Sequence, residues 1–262
     1  MEKGISLFFG YNMSSEKRAE LIKKYGFDSV ITSGDKRFRK QNGSLRKQVK
    51  IIRERGLKLS TLHMSYIQSD LHYFWEEGKK GEKLKKDLIK DVKNAKKYGF
   101  RCVVVHLFGE YSQVGKQRLL AVLNVCQKCN IPLAIENIDD QKLFVKVFEE
   151  IKHPYMKFCY DSGHNNVFDK DFDYLEKYGD KLIAVHLHDN NGEEDYHTLN
   201  KFGSINWNLL GRKLAKHSKN LMSLDYEIFM KFGLDGTPPE ECLSQVKEQA
   251  DRLEEMIENF KG

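Results

Sequence analysis

The chain has 262 residues, of which 40% are hydrophobic, and its 44 Lys and Arg against 38 Asp and Glu leave a formal net charge of +6. This length and apolar content suit one domain with a single large core, and the small basic excess is weak evidence for nucleic acid. No stretch approaches the roughly 18 apolar residues of a membrane span, so we expect no membrane partner.

Short apolar runs alternate with amphipathic segments along the whole chain. The predicted strands cover residues 5–9, 28–32, 57–62, 101–105, 131–135, 156–160, 181–185 and 221–226. The predicted helices cover residues 15–25, 43–55, 80–98, 116–129, 140–151, 170–178, 206–217 and 239–260. The strands lack apolar–polar alternation, as expected when helices or core cover both faces of a sheet. Eight such repeats predict an α/β fold, a (β/α)8 TIM barrel whose single domain spans residues 1–262.

Two local patterns bear on this prediction. Three helices end in a glycine that an apolar residue follows, at Gly26, Gly56 and Gly99, which suits a left-handed C-cap. No GxGxxG or P-loop motif follows the first strand, so a nucleotide-binding doubly wound sheet is disfavoured.

The number and spacing of the cysteines indicate the redox state of the cellular compartment. Cys102, Cys126, Cys129, Cys159 and Cys242 form an odd, scattered set, which is typical of a reducing environment. The N-terminus begins a strand rather than a signal peptide, so we expect a cytoplasmic location. Cys126 and Cys129 form a CxxC within a helical pattern. We interpret them as ordinary helix residues, because no second cysteine pair is spaced for zinc.

An ionisable residue stands at the C-terminal end of six successive predicted strands. The six are His63, His106, Glu136, Asp161, His186 and Glu227. A parallel barrel gathers its strand C-termini on one face, where barrel enzymes carry their active sites. Three imidazoles and three carboxylates that converge there indicate a divalent-metal site, and mixed nitrogen and oxygen ligands favour Zn²⁺ or Mn²⁺. The competing interpretation of each buried carboxylate is a core salt bridge.

Two short motifs add histidines to this face. In Asp161-Ser-Gly-His164, a strand ends in a carboxylate, turns on a glycine and presents an imidazole three residues later. In His186-Leu-His188-Asp189, His186 is the expected ligand. His188 is expected to contact substrate or to support a ligand, and Asp189 to orient an imidazole.

A polar loop, NNGEEDYHTLN, follows the seventh predicted strand. Alternation along the chain places Asp195 and His197 on one side of it. With His63, His106 and His164, these two residues are candidate ligands that would widen the site to a cluster of two or three metals.

The segment after the second predicted strand, SGDKRFRKQNGSLRKQ, is predicted to be a basic loop on the same face. It carries Lys36, Arg37, Arg39, Lys40 and Arg46, with Phe38 among them. It is interpreted as binding a substrate phosphate, with Arg37 as a candidate substrate contact, or a nucleic-acid backbone with an aromatic stacking partner. A plain solvated loop is equally consistent with this composition.

At these residues the chain resembles the xylose isomerase-like TIM-barrel superfamily, which holds sugar phosphate isomerases/epimerases and endonuclease IV. The resemblance runs over nearly the whole chain and is most specific at AIEN (134–137), CYDSGH (159–164), VHLHDN (185–190) and GSINW (203–207). For the epimerases it implies one divalent metal held by Glu136, Asp161, His186 and Glu227. It also implies that the two glutamates form the acid/base pair and that His164 contacts substrate.

The resemblance to endonuclease IV implies a different use of the same face. That nuclease holds three zincs with nine ligands, and counterparts for all nine are His63, His106, Glu136, Asp161, His164, His186, Asp195, His197 and Glu227. Tyr196 stands where the nuclease usually has arginine, and residues 198–203 replace the Pro-Pro-Gly segment usual in the isomerases. The Asp-Ser-Gly-His and His-Leu-His-Asp motifs are closer to the sugar branch.

The favoured function is therefore a metal-dependent isomerase or epimerase that acts on a small sugar or sugar phosphate by proton transfer through an enediolate. The alternative is an endonuclease IV-like AP endonuclease with a multi-zinc site. A third, non-enzymatic hypothesis is a metal-bearing sugar-binding or regulatory barrel. Under the favoured function the partner is a small-molecule sugar, nucleic acid enters only under the alternative, and a homo-oligomer is compatible with the sequence.

Overall fold

The computed structural model of the protein describes residues 1–65, 68–200, 203–229 and 236–260, apart from the side chains of Arg37 and Gln68. Eight parallel strands form one sheet in the order β7-β6-β5-β4-β3-β2-β1-β8. The strands are β1 (Glu2–Ser6), β2 (Ser29–Ser33), β3 (Lys58–His63), β4 (Cys102–Val105), β5 (Leu133–Glu136), β6 (Met156–Asp161), β7 (Leu182–His186) and β8 (Ser223–Tyr226). A parallel bridge between Leu187 and Tyr226 joins the two edges, so the sheet is a nearly closed barrel.

Helices run between the strands and cover the barrel. They are α1 (Ser15–Lys24), α2 (Lys36–Asn42), α3 (Leu45–Glu54), α4 (Lys79–Tyr98), α5 (Gln113–Cys129), α6 (Gln141–Glu150), α7 (Ser162–Phe168), α8 (Tyr174–Tyr178), α9 (Trp207–His217) and α10 (Pro239–Asn259). The hydroxyls of Ser14 and Ser44 cap α1 and α3, each accepting a backbone N–H three residues later. Gly26, Gly56 and Gly99 have φ of 80°, 67° and 75°, the predicted left-handed conformation.

The predicted TIM barrel is confirmed, and the strand boundaries differ by a few residues. The largest difference is the first strand, which was expected over residues 5–9 and lies at Glu2–Ser6. It begins early because Glu2 pairs with Ser223 at the start of β8. Leu7 and Phe9 are fully buried although they lie beyond the strand. Across the described ranges, no helix combines the length and apolar character that a membrane crossing requires.

Two segments differ from the predicted secondary structure because an aspartate caps a short helix. The basic segment after β2, predicted to be a loop, contains α2, and the Asp35 carboxylate accepts the N–H of Phe38 at 2.9 Å. The turn after β6 is the start of α7, where the Asp161 carboxylate accepts the N–H of His164 at 2.7 Å. Only α8 coincides with the predicted helix over residues 170–178.

Small and polar side chains occupy much of the barrel interior. A buried cluster separate from the main core consists of Cys102, Val104, Ala134, Cys159 and Ala184. On β8, the Asp225 carboxylate accepts hydrogen bonds from the hydroxyls of Ser60 at 2.6 Å and Ser223 at 3.0 Å. Burial raises the pKa of Asp225. Both hydroxyls bond to Oδ2 of this carboxylate, which lies two residues before the candidate ligand Glu227.

The buried guanidinium of Arg18 in α1 fixes the position of α2. It is 1% exposed and donates to the carbonyl oxygens of Tyr11 and Gln41, both at 3.0 Å, and to Asn42 Oδ1 at 2.8 Å. These bonds hold the C-terminal end of α2 against α1. The helix in turn brings Phe38 to a cavity at the C-terminal end of the barrel.

We expect Arg18→Met to lower the free energy of unfolding by about 1.5–3 kcal/mol, the range for hydrogen bonds made by a charged group. Methionine keeps the apolar stem but supplies no donor to the two carbonyls. Denaturant unfolding measures the change. Lys17→Met, at an exposed position of the same helix, is the control and should stay within about 0.5 kcal/mol of wild type. Equal effects of the two substitutions would contradict this role of Arg18.

Candidate metal centre

The structure brings the six ionisable residues at the predicted strand ends to one face of the barrel. His63, Glu136, Asp161 and His186 are the last residues of β3, β5, β6 and β7, and His106 and Glu227 follow β4 and β8 directly. A cavity of about 300 Å³ opens there, and His63, His106, Glu136 and Glu227 are among its lining residues. Asp161 and His186 are fully buried.

The carboxylate of Glu136 lies at the centre of this group and is 2% exposed. Its Oε2 is 3.1 Å from His106 Nε2, 3.1 Å from His186 Nδ1 and 3.5 Å from His63 Nε2. Its Oε1 is 3.4 Å from His164 Nδ1. Burial by itself would raise the pKa of Glu136, but the charges of His186 and His106 hold it well below its ordinary value. Donor atoms therefore converge on one buried carboxylate.

The short distances from Glu136 Oε2 to the imidazole nitrogens do not have the geometry of hydrogen bonds. Glu136 Oε2 and both ring nitrogens of His186 are buried and have no hydrogen-bond partner of acceptable geometry among the described residues. Buried polar atoms in proteins are rarely left in this state, and a bound cation is one of the arrangements that satisfies them. His63, His106 and Glu136 offer donor atoms that all lie within 4.8 Å of one another. This set of residues fits a divalent metal.

A second group of candidate ligands lies beside the first. His164, His188, Asp195 and His197 also offer donor atoms within 4.8 Å of one another. Asp195 Oδ2 is 3.2 Å from His197 Nε2 and 3.4 Å from His164 Nε2. His197 has a φ of 49°, a left-handed conformation that is strained for a histidine. Its surroundings hold it there, because its backbone carbonyl accepts the N–H of Phe229 at 3.0 Å.

Three imidazoles of the two groups direct Nδ1 to a backbone carbonyl. The pairs are His63 with Met64 at 3.2 Å, His164 with Asn137 at 2.9 Å and His197 with Glu227 at 2.8 Å. A carbonyl oxygen only accepts, so Nδ1 carries the proton and Nε2 of the neutral ring keeps its lone pair. Metal-binding histidines are oriented in this way by partners on the far side of the ring.

His188 sits behind these ligands rather than among the described residues that line the cavity. Its Nε2 is 3.0 Å from Asp161 Oδ1, and its ring stacks on that of His197 with centroids 3.7 Å apart and planes at 9°. Two parallel stacked rings cannot both direct an in-plane lone pair at one ion. His188 is therefore placed to orient Asp161 and His197.

The Asp-Ser-Gly-His turn is built around His188. The hydroxyl of Ser162 donates to the His188 carbonyl at 2.6 Å and accepts its N–H at 3.0 Å. A Cβ at Gly163 would lie 1.9 Å from His188 Cε1. The glycine thus makes room for the ring, which the sequence motif alone did not reveal.

Asn137 and Asp189 are two supporting residues whose contacts were not foreseen. Asn137 donates to the carbonyl of Asp161 at 2.9 Å and accepts its N–H at 2.8 Å, which ties the ends of β5 and β6 together. The Asp189 carboxylate, expected to orient an imidazole, instead accepts the N–H of Ile205 at 3.1 Å and Trp207 Nε1–H at 2.6 Å. It therefore anchors the GSINW segment.

Cys159 was not singled out as a site residue, although it lies two residues before Asp161 on the same strand. Side chains two apart share one face of a strand, and that spacing was the available signal. Its sulfur groups with Glu136 and His186 as a further candidate donor. Burial raises the pKa of Cys159 well above the ordinary thiol value. A bound cation would have to offset that burial for the thiolate to ligate.

We call the lining residues beyond the candidate ligands the mouth of the cavity, and several of them are aromatic or acidic. They include Asp35, Phe38, Asp139, Phe168 and Phe229. The backbone of the basic segment lies in α2 nearby, but the side chain of Arg37 lies outside what the structure describes. The remaining basic residues of that segment, Lys36, Arg39, Lys40 and Arg46, are exposed. The described lining residues include no Lys or Arg.

The fold and this site together define a class: parallel (β/α)8 barrels with histidines and carboxylates gathered at the carboxyl ends of their strands. A family model described as xylose isomerase-like TIM barrel matches residues 19–256. The chain therefore belongs to the xylose isomerase-like TIM barrel family, as its motifs suggested.

Among the proteins similar to the chain are one curated relative and two solved structures. The uncharacterized protein y4fM of Sinorhizobium fredii is 32% identical over 97 residues, which cover 34% of this chain and 31% of that protein. The chain thus matches about a third of this curated relative's length. The structure of a D-tagatose 3-epimerase-like protein is similar with a TM-score of 0.78 at 18% identity and 99% coverage of both chains. D-psicose 3-epimerase with D-tagatose, from Clostridium cellulolyticum H10, has a TM-score of 0.78 at 14% identity, covering 98% of this chain and 99% of its own. At such identities the likeness shows the fold.

We expect Gly163→Ala to destabilise the protein and to lower its metal content. The added Cβ would overlap the His188 ring, and overpacking of this kind costs about 1–3 kcal/mol. Gly34→Ala is the matched control, because its Cβ would meet its nearest atoms at 3.4 and 3.5 Å, an ordinary contact. Thermal unfolding and elemental analysis measure both effects. Unchanged metal content in a folded Gly163→Ala protein would show that His188 does not support the ligands.

We also expect metal binding to release protons at pH 7. Burial alone would lower the pKa of His164, but Asp161 and then Asp195 raise it to about 10 in the metal-free protein. The imidazole is therefore protonated at pH 7 and must lose that proton to ligate, so affinity should rise with pH toward 10.

Calorimetric zinc titrations in buffers of different ionisation enthalpy count the protons released. His164→Ala should release about one fewer proton than wild type. His153→Ala, which removes a histidine outside the cavity, should match wild type. Zinc binding without any proton release would contradict this account of His164.

Proposed function

We propose that the protein is a metal-dependent isomerase or epimerase that acts on a small sugar. The observation that supports this most is the buried Glu136 carboxylate. Its Oε2 lacks a hydrogen-bond partner in the part of the chain that the structure describes, while three imidazole nitrogens lie 3.1–3.5 Å away. The structural neighbours named as sugar epimerases support the reaction class. Zinc or manganese is the proposed cofactor, because the donor set mixes imidazole nitrogen with carboxylate oxygen.

The proposed ligands are the residues that converge at the strand ends. One ion would be held by Glu136, Asp161, His186 and Glu227. Further ions would use His63 and His106 together with Glu136, and His164, Asp195 and His197. When bound, the cation would act as a Lewis acid on the substrate carbonyl.

Glu136 and Glu227 are the proposed acid/base pair. Both carboxylates line the cavity, where a bound substrate can meet them. One glutamate takes the proton beside the carbonyl and the other returns a proton. His164, which also lines the cavity, is the proposed substrate contact when it does not ligate. His188 and Arg37 stay predictions as substrate contacts.

An endonuclease IV-like activity is the second candidate. The observation that favours it is the second group of donors around Asp195, since a one-metal epimerase does not need it. The acidic residues at the mouth, Asp35 and Asp139, count against it because they would repel a polyanionic duplex. A homo-oligomeric state and a cytoplasmic location stay predictions of the sequence.

We expect Glu227→Gln to retain metal but to lose turnover by about 10²- to 10⁴-fold, the usual effect of removing a general acid or base. Glutamine keeps a carbonyl oxygen for the metal but cannot accept the proton. Glu136→Gln should lose both metal and turnover. The Glu136 carboxylate is a proposed ligand of the ion held with Asp161, His186 and Glu227, and also of the ion held with His63 and His106. Glu110→Gln, an exposed glutamate on the loop after β4, is the control.

The assay uses metal-loaded protein on a panel of ketoses and aldoses and on a duplex with an abasic site. Interconversion of a sugar, lost in Glu227→Gln at full metal content, is the expected result. Efficient incision of the duplex with no sugar turned over would replace the proposed function by the nuclease. Near-normal sugar turnover by metal-loaded Glu227→Gln would remove this residue from the acid/base role.

A further inference from the structure

We propose that the substrate is an uncharged carbohydrate, bound through an apolar face against phenylalanine rings, rather than a sugar phosphate. This inference rests on the proposed function and names the substrate class of the same cavity. It depends on two features of the cavity mouth, its aromatic rings and its carboxylates.

Phenylalanine rings pack beside two of the candidate ligands, His164 and His197. The ring of Phe168 is 42% exposed, and its centroid lies 5.8 Å from that of His164. The ring of Phe229 lies 4.5 Å from that of His197. Phe38 from α2 is a third aromatic residue in the lining. Carbohydrates present C–H groups on one ring face and hydroxyls around the edge, so such rings suit them and offer nothing to a phosphate.

Beyond the proposed metal ligands, the charged residues of the described cavity lining are acidic, and they are Asp35 and Asp139. Asp35 is held in place, since its carboxylate accepts the N–H of Phe38 and contacts the hydroxyl of Ser33 at 3.1 Å. Fixed carboxylates accept hydrogen bonds from sugar hydroxyls, whereas they repel the phosphate dianion.

No lysine or arginine of residues 1–65, 68–200, 203–229 and 236–260 belongs to the cavity lining, and the side chain of Arg37 lies outside this description. The basic side chains of α2, Lys36, Arg39 and Lys40, are exposed. Within the part of the chain that the structure describes, this leaves the metal as the cationic partner for a phosphate. A phosphate on the metal would exclude the carbonyl that must react, so it would inhibit rather than position the substrate.

The first test compares kcat/KM of the metal-loaded wild type for free hexoses and for the corresponding hexose 6-phosphates. We expect the free sugar to be preferred by at least about tenfold. Asp139→Lys should narrow this preference by raising kcat/KM for the phosphate. Glu110→Lys makes the same charge change on an exposed glutamate and should leave the preference as it was.

The second test concerns the aromatic rings. Phe168→Ala should raise KM for the free sugar several-fold with a smaller effect on kcat, as expected for a contact made equally in the ground and transition states. Phe260→Ala removes a ring of the same 42% exposure just after α10, outside the cavity lining, and should not change KM.

The possible outcomes separate this inference from the proposed function. Faster turnover of the phosphates than of the free sugars would overturn the inference and leave the isomerase function standing. No turnover of either class would count against the proposed function. The inference would then be decided by calorimetric binding of fructose, fructose 6-phosphate and inorganic phosphate to the metal-loaded protein. Binding of fructose 6-phosphate more tightly than both fructose and inorganic phosphate would contradict it.

Discussion

The Glu136 carboxylate is buried among imidazoles, and the rest of the site depends on how that burial is made tolerable. A carboxylate that is 2% exposed is strongly destabilised unless it is paired or bound to a cation. Here His106 and His186 hold its pKa well below the ordinary value, although burial acts in the opposite direction. The barrel provides this arrangement because β4, β5 and β7 all end at the same face. A metal would take over the role of the imidazolium protons.

Backbone groups and a buried side chain fix the positions of the candidate ligands at this face. The carbonyls of Asn137 and Glu227 fix the orientation of His164 and His197. The side chain of Asn137 joins the ends of two strands. Groups fixed in this way keep their positions whether or not a ligand is present, which is what preorganised sites require. The strained φ of His197 is consistent with such a role.

The sequence could predict where the ionisable residues lie because one rule governs all of them. In a parallel barrel every strand points the same way, so a charged residue after each apolar run must reach a common face. No such rule predicts contacts across loops. Whether Asp189 meets an imidazole or Trp207 depends on how residues 190–206 fold back. Likewise, α2 depends on a cap at Asp35 and on Arg18 from another helix, and neither follows from the periodicity of the basic segment.

The centre of the site alone does not decide what the protein acts on. The same imidazoles and carboxylates suit proton transfer in a sugar and attack on a phosphodiester, since both reactions use a Lewis acid beside a carboxylate. The two functions differ in the protein surface that they need around this centre. A duplex needs a broad basic surface to neutralise many phosphates, whereas a small sugar needs a concave site with a few hydroxyl acceptors. Phe168, Phe229 and Asp139 at the mouth belong to the second kind of surface. In this family, specificity is therefore better sought in the loops after the strands than in the ligands at their ends.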